Sequence, residues 1–460
     1  MNLETDNKIQ KKGITLVIPN SCGNIKETKM KNSGIEWIGE IPEDWEVKKV
    51  KHSFVRKNEK AMQENPIVLS LARTGVRERD ISNNEGQLAE SYYNYNPVDV
   101  DDLLINPMDL YSGANCSISK VKGVISPAYI NLRAKKNVSP VFYDYYFKVQ
   151  YWMMAFFAHG NGVSFENRWT LNNETLQNYP IVAPSFETQQ HIASYLDKKC
   201  SKIEETIQNQ QQVIEKLKAY KQSLITEAVT GKVKIENGKI CGEYESYKES
   251  GVEWIGKNPS EWDCPKIKYL HKGLTDGTHG TYNRLSNGYL LLSSKNVRDN
   301  CIEISDNESF ISEEDFKEIT ANGFPQKDDV LLCCIGASIG RCTIYDLDET
   351  VAFQRSVIMI RCNEKIVPKF LMYALKSSYV LEQENVLINQ SAQAGLYQGL
   401  VSKIYITISS VSEQKEISNY LDKKCTAIDT AIEQKQNLIE KLTEYKKSLI
   451  YECVTGKKAI

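Results

Sequence analysis

The 460-residue chain has no apolar run approaching the roughly 20 residues that a membrane-spanning helix needs. Its polar start, residues 1–12, lacks the apolar centre of a signal peptide. A cytoplasmic protein with no membrane partner is expected. Histidine is scarce, five in all and scattered, and the 12 cysteines form no Cys-x-x-Cys pair. Zinc takes paired ligands at short spacing, so no metal site is expected, and free, mostly buried thiols suit a reducing compartment. Gly-x-x-x-x-Gly-Lys-[Ser/Thr] is missing, which argues against ATP hydrolysis by a phosphate loop. His-Glu-x-x-His is missing too. Nor is there an excess of positive charge: 57 Lys and Arg stand against 59 Asp and Glu, a net charge of −2. A nucleic-acid binder of this composition must concentrate its positive charge locally or draw on a partner.

What is present is a frame written twice. Tyr195-Leu196-Asp197-Lys198-Lys199-Cys200 returns as Tyr420-Leu421-Asp422-Lys423-Lys424-Cys425. Each copy runs on to Val-Thr-Gly-Lys, at 229–232 and 454–457. Upstream lie Ser33-Gly34-Ile35-Glu36-Trp37-Ile38-Gly39 and Ser250-Gly251-Val252-Glu253-Trp254-Ile255-Gly256. Trp37, Trp45, Trp254 and Trp262 are expected to pack the seams between domains. Residues 1–33 read as a loose extension, and a start at Met30 would shed most of it.

The helical parts of the frame carry the clearest periodicity. Ile203, Ile207, Gln210, Ile214, Leu217, Lys221 and Leu224 step by three and four, as do Ile428, Ile432, Lys435, Ile439, Leu442, Lys446 and Leu449. That spacing lays an apolar seam along one helix face. Ser185 and Ser412 are the expected N-caps, and Gly231 and Gly456 the stops. The spacing predicts two long helices, one over 186–229 of roughly 65 Å at about 1.5 Å per residue, pairing antiparallel within the chain.

The two inserts differ in sequence. The first shows strand-like runs at 67–71, 102–105, 129–132 and 179–182, and a helix at 141–157. The second shows strands at 289–292, 330–333, 356–360 and 404–408, and a helix at 369–384. Both read as α+β. Asp101-Asp102 and Asp328-Asp329 beside strand starts read as turn residues, not acid/base pairs. Asn106-Pro107-Met108-Asp109 is only a fragment of the Asn-Pro-Pro-aromatic loop of adenine methyltransferases, without its second proline or its aromatic.

Polar contact residues on Gly-flanked loops recur instead. The first insert offers Arg73, Thr74, Arg77, Tyr111, Ser112, Asn115, Asn161 and Arg168. The second offers Thr278, His279, Thr281, Arg284, Lys295, Asn296 and Arg298, then Ser338, Arg341, Gln354, Arg355 and Gln393. Arg suits guanine edges, Asn and Gln suit adenine, and Ser and Thr suit phosphates.

These features together resemble the specificity subunit of type I restriction-modification enzymes. The resemblance rests on Gly-Ile-Glu-Trp-Ile-Gly-x-x-Pro-x-x-Trp at 34–45, Asp-Leu-Tyr-Ser-Gly at 109–113, Ser-Pro-Ala-Tyr at 126–129 and Asp-Gly-Thr-His at 276–279. The repeated Tyr-Leu-Asp-Lys-Lys helices belong to the same set. The family implies target-recognition domains at 34–184 and 262–409, helical regions at 185–231 and 410–460, and a linker with the second repeated segment at 232–261. It implies two recognition domains separated by an intramolecular antiparallel coiled coil, arranged as a pseudo-twofold repeat. It also implies a non-catalytic chain that binds double-stranded DNA and docks two methyltransferase and two motor-nuclease subunits. Those partners, not this chain, would use S-adenosylmethionine, ATP and Mg. The alternative is a coiled-coil scaffold whose inserts bind proteins.

Overall fold

The structure, a computed structural model, describes residues 29–72, 74–82, 89–108, 110, 115–162, 169–321, 323–389 and 395–460. It divides into two compact units. One holds the chain up to Asn209 together with Asn437–Ile460, and the other is Gln210–Gln436. Both long helices are therefore shared between the units, and neither is a separate body.

In the first unit a four-stranded antiparallel sheet is built from β1 (Phe54–Lys57), β2 (Leu103–Ile105), β3 (Cys116–Ile118) and β4 (Ile130–Ala134), in the order β1-β4-β2-β3. Helix α1 (Pro140–Trp152) packs on it through Phe142, Tyr143, Tyr146 and Phe147, all fully buried. Ser139 caps α1 by accepting the Phe142 N–H, with Pro140 at its first turn. The helix ends at Trp152, short of the expected 157.

The second unit repeats this order. β5 (His271–Asp276), β6 (Val330–Cys333), β7 (Cys342–Ile344) and β8 (Val357–Cys362) form an antiparallel sheet in the order β5-β8-β6-β7. The expected helix at 369–384 is instead two, α3 (Pro368–Leu375) and α4 (Ser378–Asn389). Side chains of the long helix α2 (Phe186–Val229) hold the break: Gln222 Nε2 donates to Lys376 O at 2.7 Å, and Thr226 Oγ1 accepts the Ser378 N–H at 3.0 Å. The strand expected at 404–408 is reduced to two isolated bridges, Tyr405 to Lys266 and Ile408 to Asp263. A helix at Glu313–Thr320, capped by Ser312, was not expected, although Phe316 and Ile319 stand three apart and pack on one core.

The frame explains its own repetition. Gln189 Oε1 accepts the Ser139 N–H while its Nε2 donates to Pro184 O, both at 2.8 Å. Gln414 does the same for Val367 N–H and Ser409 O, also at 2.8 Å. Asp197 accepts the hydroxyl of Tyr145, and Asp422 that of Tyr373, at 2.8 and 2.7 Å. The same buried amide and the same carboxylate thus clamp the insert's helix in each unit.

The Gly-Ile-Glu-Trp segment packs on the end of the chain, and its second copy on the end of α2. Gly456 has φ +73, and a Cβ there would lie 2.3 Å from Pro42. Gly231 has φ +69, and a Cβ there would meet Pro259 at 2.4 Å. Both positions therefore demand glycine on two grounds, handedness and space. Trp45 and Trp262 are buried inside their own units. Contrary to expectation Trp254 is 38% exposed and packs no seam.

Helix α5 (Val411–Val454) matches α2 at 44 residues. Ser185 caps α2, accepting the Thr188 N–H at 3.1 Å. The cap of α5 is Ser410, which accepts the Glu413 N–H at 3.3 Å; Ser412 lies two residues later, inside the helix. In the first unit Ile203 and Ile207 share a core with Leu442 and Leu449, and Glu204 pairs with Lys446. In the second, Leu217 and Leu224 share a core with Ile428 and Ile432, and Lys221 meets Asp429 at 2.7 Å. Residue numbers fall along one helix as they rise along the other, so both halves pair antiparallel. Ile214 is buried and Ile439 half-buried.

Candidate nucleic-acid interface

In the second unit the candidate loops meet at one end of the sheet. Gly277, just past β5, passes so close to the chain before β8 that a Cβ would lie 2.2 Å from Phe353 O. Thr278 N–H donates to Phe353 O and Thr278 O accepts the Arg355 N–H, at 2.8 and 2.9 Å. Gln354 N–H donates to Leu292 O, and Ser356 Oγ accepts the Ser294 N–H at 3.0 Å. Arg341, at the start of β7, reaches Val297 O at 3.2 Å. Thr278, Lys295, Arg341, Gln354 and Arg355, distant in sequence, thereby share one rim.

Most of the cations there are already engaged. Lys295 pairs with Glu308 at 2.9 Å and Arg298 with Glu303 at 2.5 Å, while His279 Nε2 is hydrogen-bonded to Asp276 at 2.7 Å. Arg284 donates to Leu291 O at 3.2 Å. Burial pushes the Glu308 carboxyl up, but hydrogen bonds from Lys295 and Asn296 outweigh it and hold the group below its ordinary range. Arg355 is exposed and makes no side-chain hydrogen bond or ion pair among the described residues. Thr281 is exposed and Ser338 half-buried. Asn296 corrects the expectation of a base reader. It is 2% exposed, and its amide is spent on Ser293 N–H, Glu303 O and Glu308. It holds the loop that presents Lys295. Tyr282 escaped the sequence reading: its hydroxyl lies 3.0 Å from Thr278 Oγ1 and braces the Gly277–Arg284 loop. Its place four residues after Thr278 was the only signal.

The first unit uses the same end of its sheet. Thr74 turns a hairpin of Leu69–Ala72 with Gly75–Glu78, and Arg77 is exposed on its second strand. Asn115 donates to Ala72 O at 2.6 Å, tying the loop before β3 to this hairpin, so its amide positions a loop and is not free to face a base. Leu110 N–H donates to Trp169 O, and Asn161 and Thr170 exchange both backbone bonds, which draws a third loop alongside. The Asn161 side chain stays exposed. Arg73, Tyr111, Ser112, Arg168 and Gln393 lie outside the described residues.

The paired aspartates are structural. Asp101 and Asp328 have φ of 68° and 72°, the left-handed turn that Asp tolerates. Asp102 takes Arg133 Nε at 2.8 Å and Lys57 at 3.0 Å, and Asp329 takes Arg361 Nε at 3.0 Å. Among the described residues no group of three or more His, Cys, Asp or Glu could hold a metal ion. No helix among them is long and apolar enough to cross a membrane.

Residues 280–442 match the sequence model of the type I restriction modification DNA specificity domain. The chain is 26% identical over 373 residues to the MjaVIII specificity subunit of Methanocaldococcus jannaschii, covering 77% of this chain and 80% of that relative. It is 23% identical over 379 residues to the EcoBI specificity subunit of Escherichia coli, covering 81% and 76%. The chain is thus similar, in sequence and over most of its length, to type I restriction-modification specificity subunits. A solved chain from work on complex assembly and conformational transition of a type I restriction-modification system shares the fold, with a TM-score of 0.67 at 15% identity over 91% of this chain and 99% of that chain.

Proposed function

We propose that each insert reads one half of a bipartite DNA target, while the paired helices set the interval between the halves. One observation carries the reading: two sheets of identical strand order present loops of unrelated sequence at the same end. A common scaffold with different loops suits two recognition heads with different base preferences. Arg77, Thr278, Lys295 and Arg355 are the described residues we assign to contact, with Arg355 the freest to fork onto a guanine. Helices of 44 residues, about 66 Å at about 1.5 Å per residue, exceed the roughly 34–36 Å that separates half-sites one turn apart. Bases between the half-sites would be spanned without being read. Two methyltransferase subunits using S-adenosylmethionine, and two ATP- and Mg-dependent motor-nuclease subunits, would complete the complex in the cytoplasm. They would supply the phosphate attraction that a net charge of −2 does not.

Replacing residues 262–409 with the matching insert of a relative, followed by methylome sequencing, tests this. One half-site should change and the other stay. A protein-binding scaffold would leave both half-sites unaltered, and that result would reject the proposal.

A further inference from the structure

The recognition loops occupy one end of each sheet; the opposite end carries a different kind of surface. There the chain enters β1 through Lys49-Val50-Lys51 and β5 through Lys266-Ile267-Lys268. The two triplets are structural equivalents. Val50 N–H donates to Tyr179 O at 3.0 Å, and Ile267 N–H donates to Ile404 O at 2.8 Å. Val50 and Ile267 are fully buried, which turns the flanking side chains outward. Lys49, Lys51 and Lys268 are exposed and Lys266 half-exposed. None of the four makes an ion pair among the described residues. Lys51 donates only to the neutral amide of Asn178, at 2.9 Å. Lys268 sits 4.6 Å from the ring of Tyr269, itself 58% exposed, and Lys266 sits 4.9 Å from that of Tyr405. Lys403, also exposed, adjoins through the Lys268 N–H to Ser402 O bond.

Several other cations of these inserts, Lys57, Lys295, Arg298 and Arg361 among them, do have carboxylate partners. Four unpaired lysines at matching places, in inserts that otherwise differ, mark a surface used in the same way twice. Its occupant is not the DNA held by the loops. β5 alone puts about 17 Å, at roughly 3.3 Å per residue, between the lysines before His271 and the loop after Asp276.

We infer that the Lys-x-Lys element of each insert docks an acidic protein surface, that of the methyltransferase subunit, one copy per insert. This rests on the proposed function, which supplies a partner present twice. Aromatic rings beside the lysines in the second insert add apolar contact and cation–π geometry, and the charges steer the encounter.

The test uses the full chain with Lys49, Lys51, Lys266 and Lys268 all changed to Glu, and a second variant with all four changed to Arg. Two quantities are measured for each: affinity for the methyltransferase subunit encoded with this chain, across a salt series, and affinity of the chain alone for its target duplex. The Glu variant should lose partner affinity by about tenfold or more and flatten its salt dependence, with target affinity within about twofold of the parent. The Arg variant should keep both, which separates charge from misfolding. Unchanged partner affinity in the Glu variant overturns the inference. Loss of DNA affinity with partner affinity intact overturns it too and assigns the patch to phosphates. A parent chain that binds the partner but no specific duplex would instead overturn the proposed recognition role and leave the docking result standing.

Discussion

A buried charge is tolerated in this chain only where it has company. Asp102 and Asp329 are nearly inaccessible, yet each is held by an arginine and by a backbone N–H three residues earlier, Asp99 and Gln326. Glu384 is the exception. It is 2% exposed, one of its oxygens meets no partner among the described residues, and it lies under Gly340 beside the loop before β7. Burial pushes its carboxyl from the ordinary 4.5 up to about 8. At pH 7 the folded chain keeps this proton and the unfolded chain does not. Stability should therefore fall as pH rises from about 4.5 to about 8 and level off beyond. Glu384→Gln should flatten that slope and add about 1–3 kcal/mol at pH 8, read from urea unfolding at several pH values. Parallel pH profiles in the two proteins would show that another group titrates. Asn296 teaches a related lesson. Its type suited base reading, but a side chain with every polar atom committed inside a loop can only position its neighbours.

The long helices show how polar residues can sit in an apolar seam. Gln210, Lys221, Lys435 and Lys446 occupy seam positions that would be defects in a helix docked on a purely apolar surface. Opposed antiparallel they find partners: Lys435 donates to Gln210 at 3.1 Å, and Lys221 and Lys446 meet Asp429 and Glu204. Such contacts fix register more than they add stability. Lys221→Asp or Asp429→Lys alone should cost about 1 kcal/mol, and the double exchange should recover most of it in a double-mutant cycle. Two additive losses would mean that the pair does not face across the seam. The seam and the Gly stops were legible because periodicity and handedness are local properties. The cap of α5 was not, since Ser410 and Ser412 are equally good cap residues and packing chose between them. The break between α3 and α4 was hidden for the same reason: its partners, Gln222 and Thr226, lie about 150 residues away in sequence.

For the whole molecule, a low net charge is compatible with the proposed DNA-binding role because rim cations carry their own counter-charges. Lys295 and Arg298 each face a carboxylate, Glu308 and Glu303. If the helices act as a spacer, inserting one heptad into both, at matching positions of 186–229 and 411–454, should lengthen it by roughly 10 Å. The unread interval in the methylated motif should then grow by about three base pairs, at about 3.4 Å each. A motif with its original interval would refute the spacer role.

Repetition, helix period and the glycines of the frame were written in the order of residues, because each depends on neighbours within a few positions. They were enough to foresee two α+β inserts on two long helices and a family resemblance. Folding alone decided which loops share a rim, that Asn115 and Asn296 serve as ties, and that Lys49 and Lys266 stand at matching places. Those relations depend on backbone hydrogen bonds between segments tens of residues apart. No local pattern encodes them, because a side chain's availability depends on what the rest of the chain has left for it to bond.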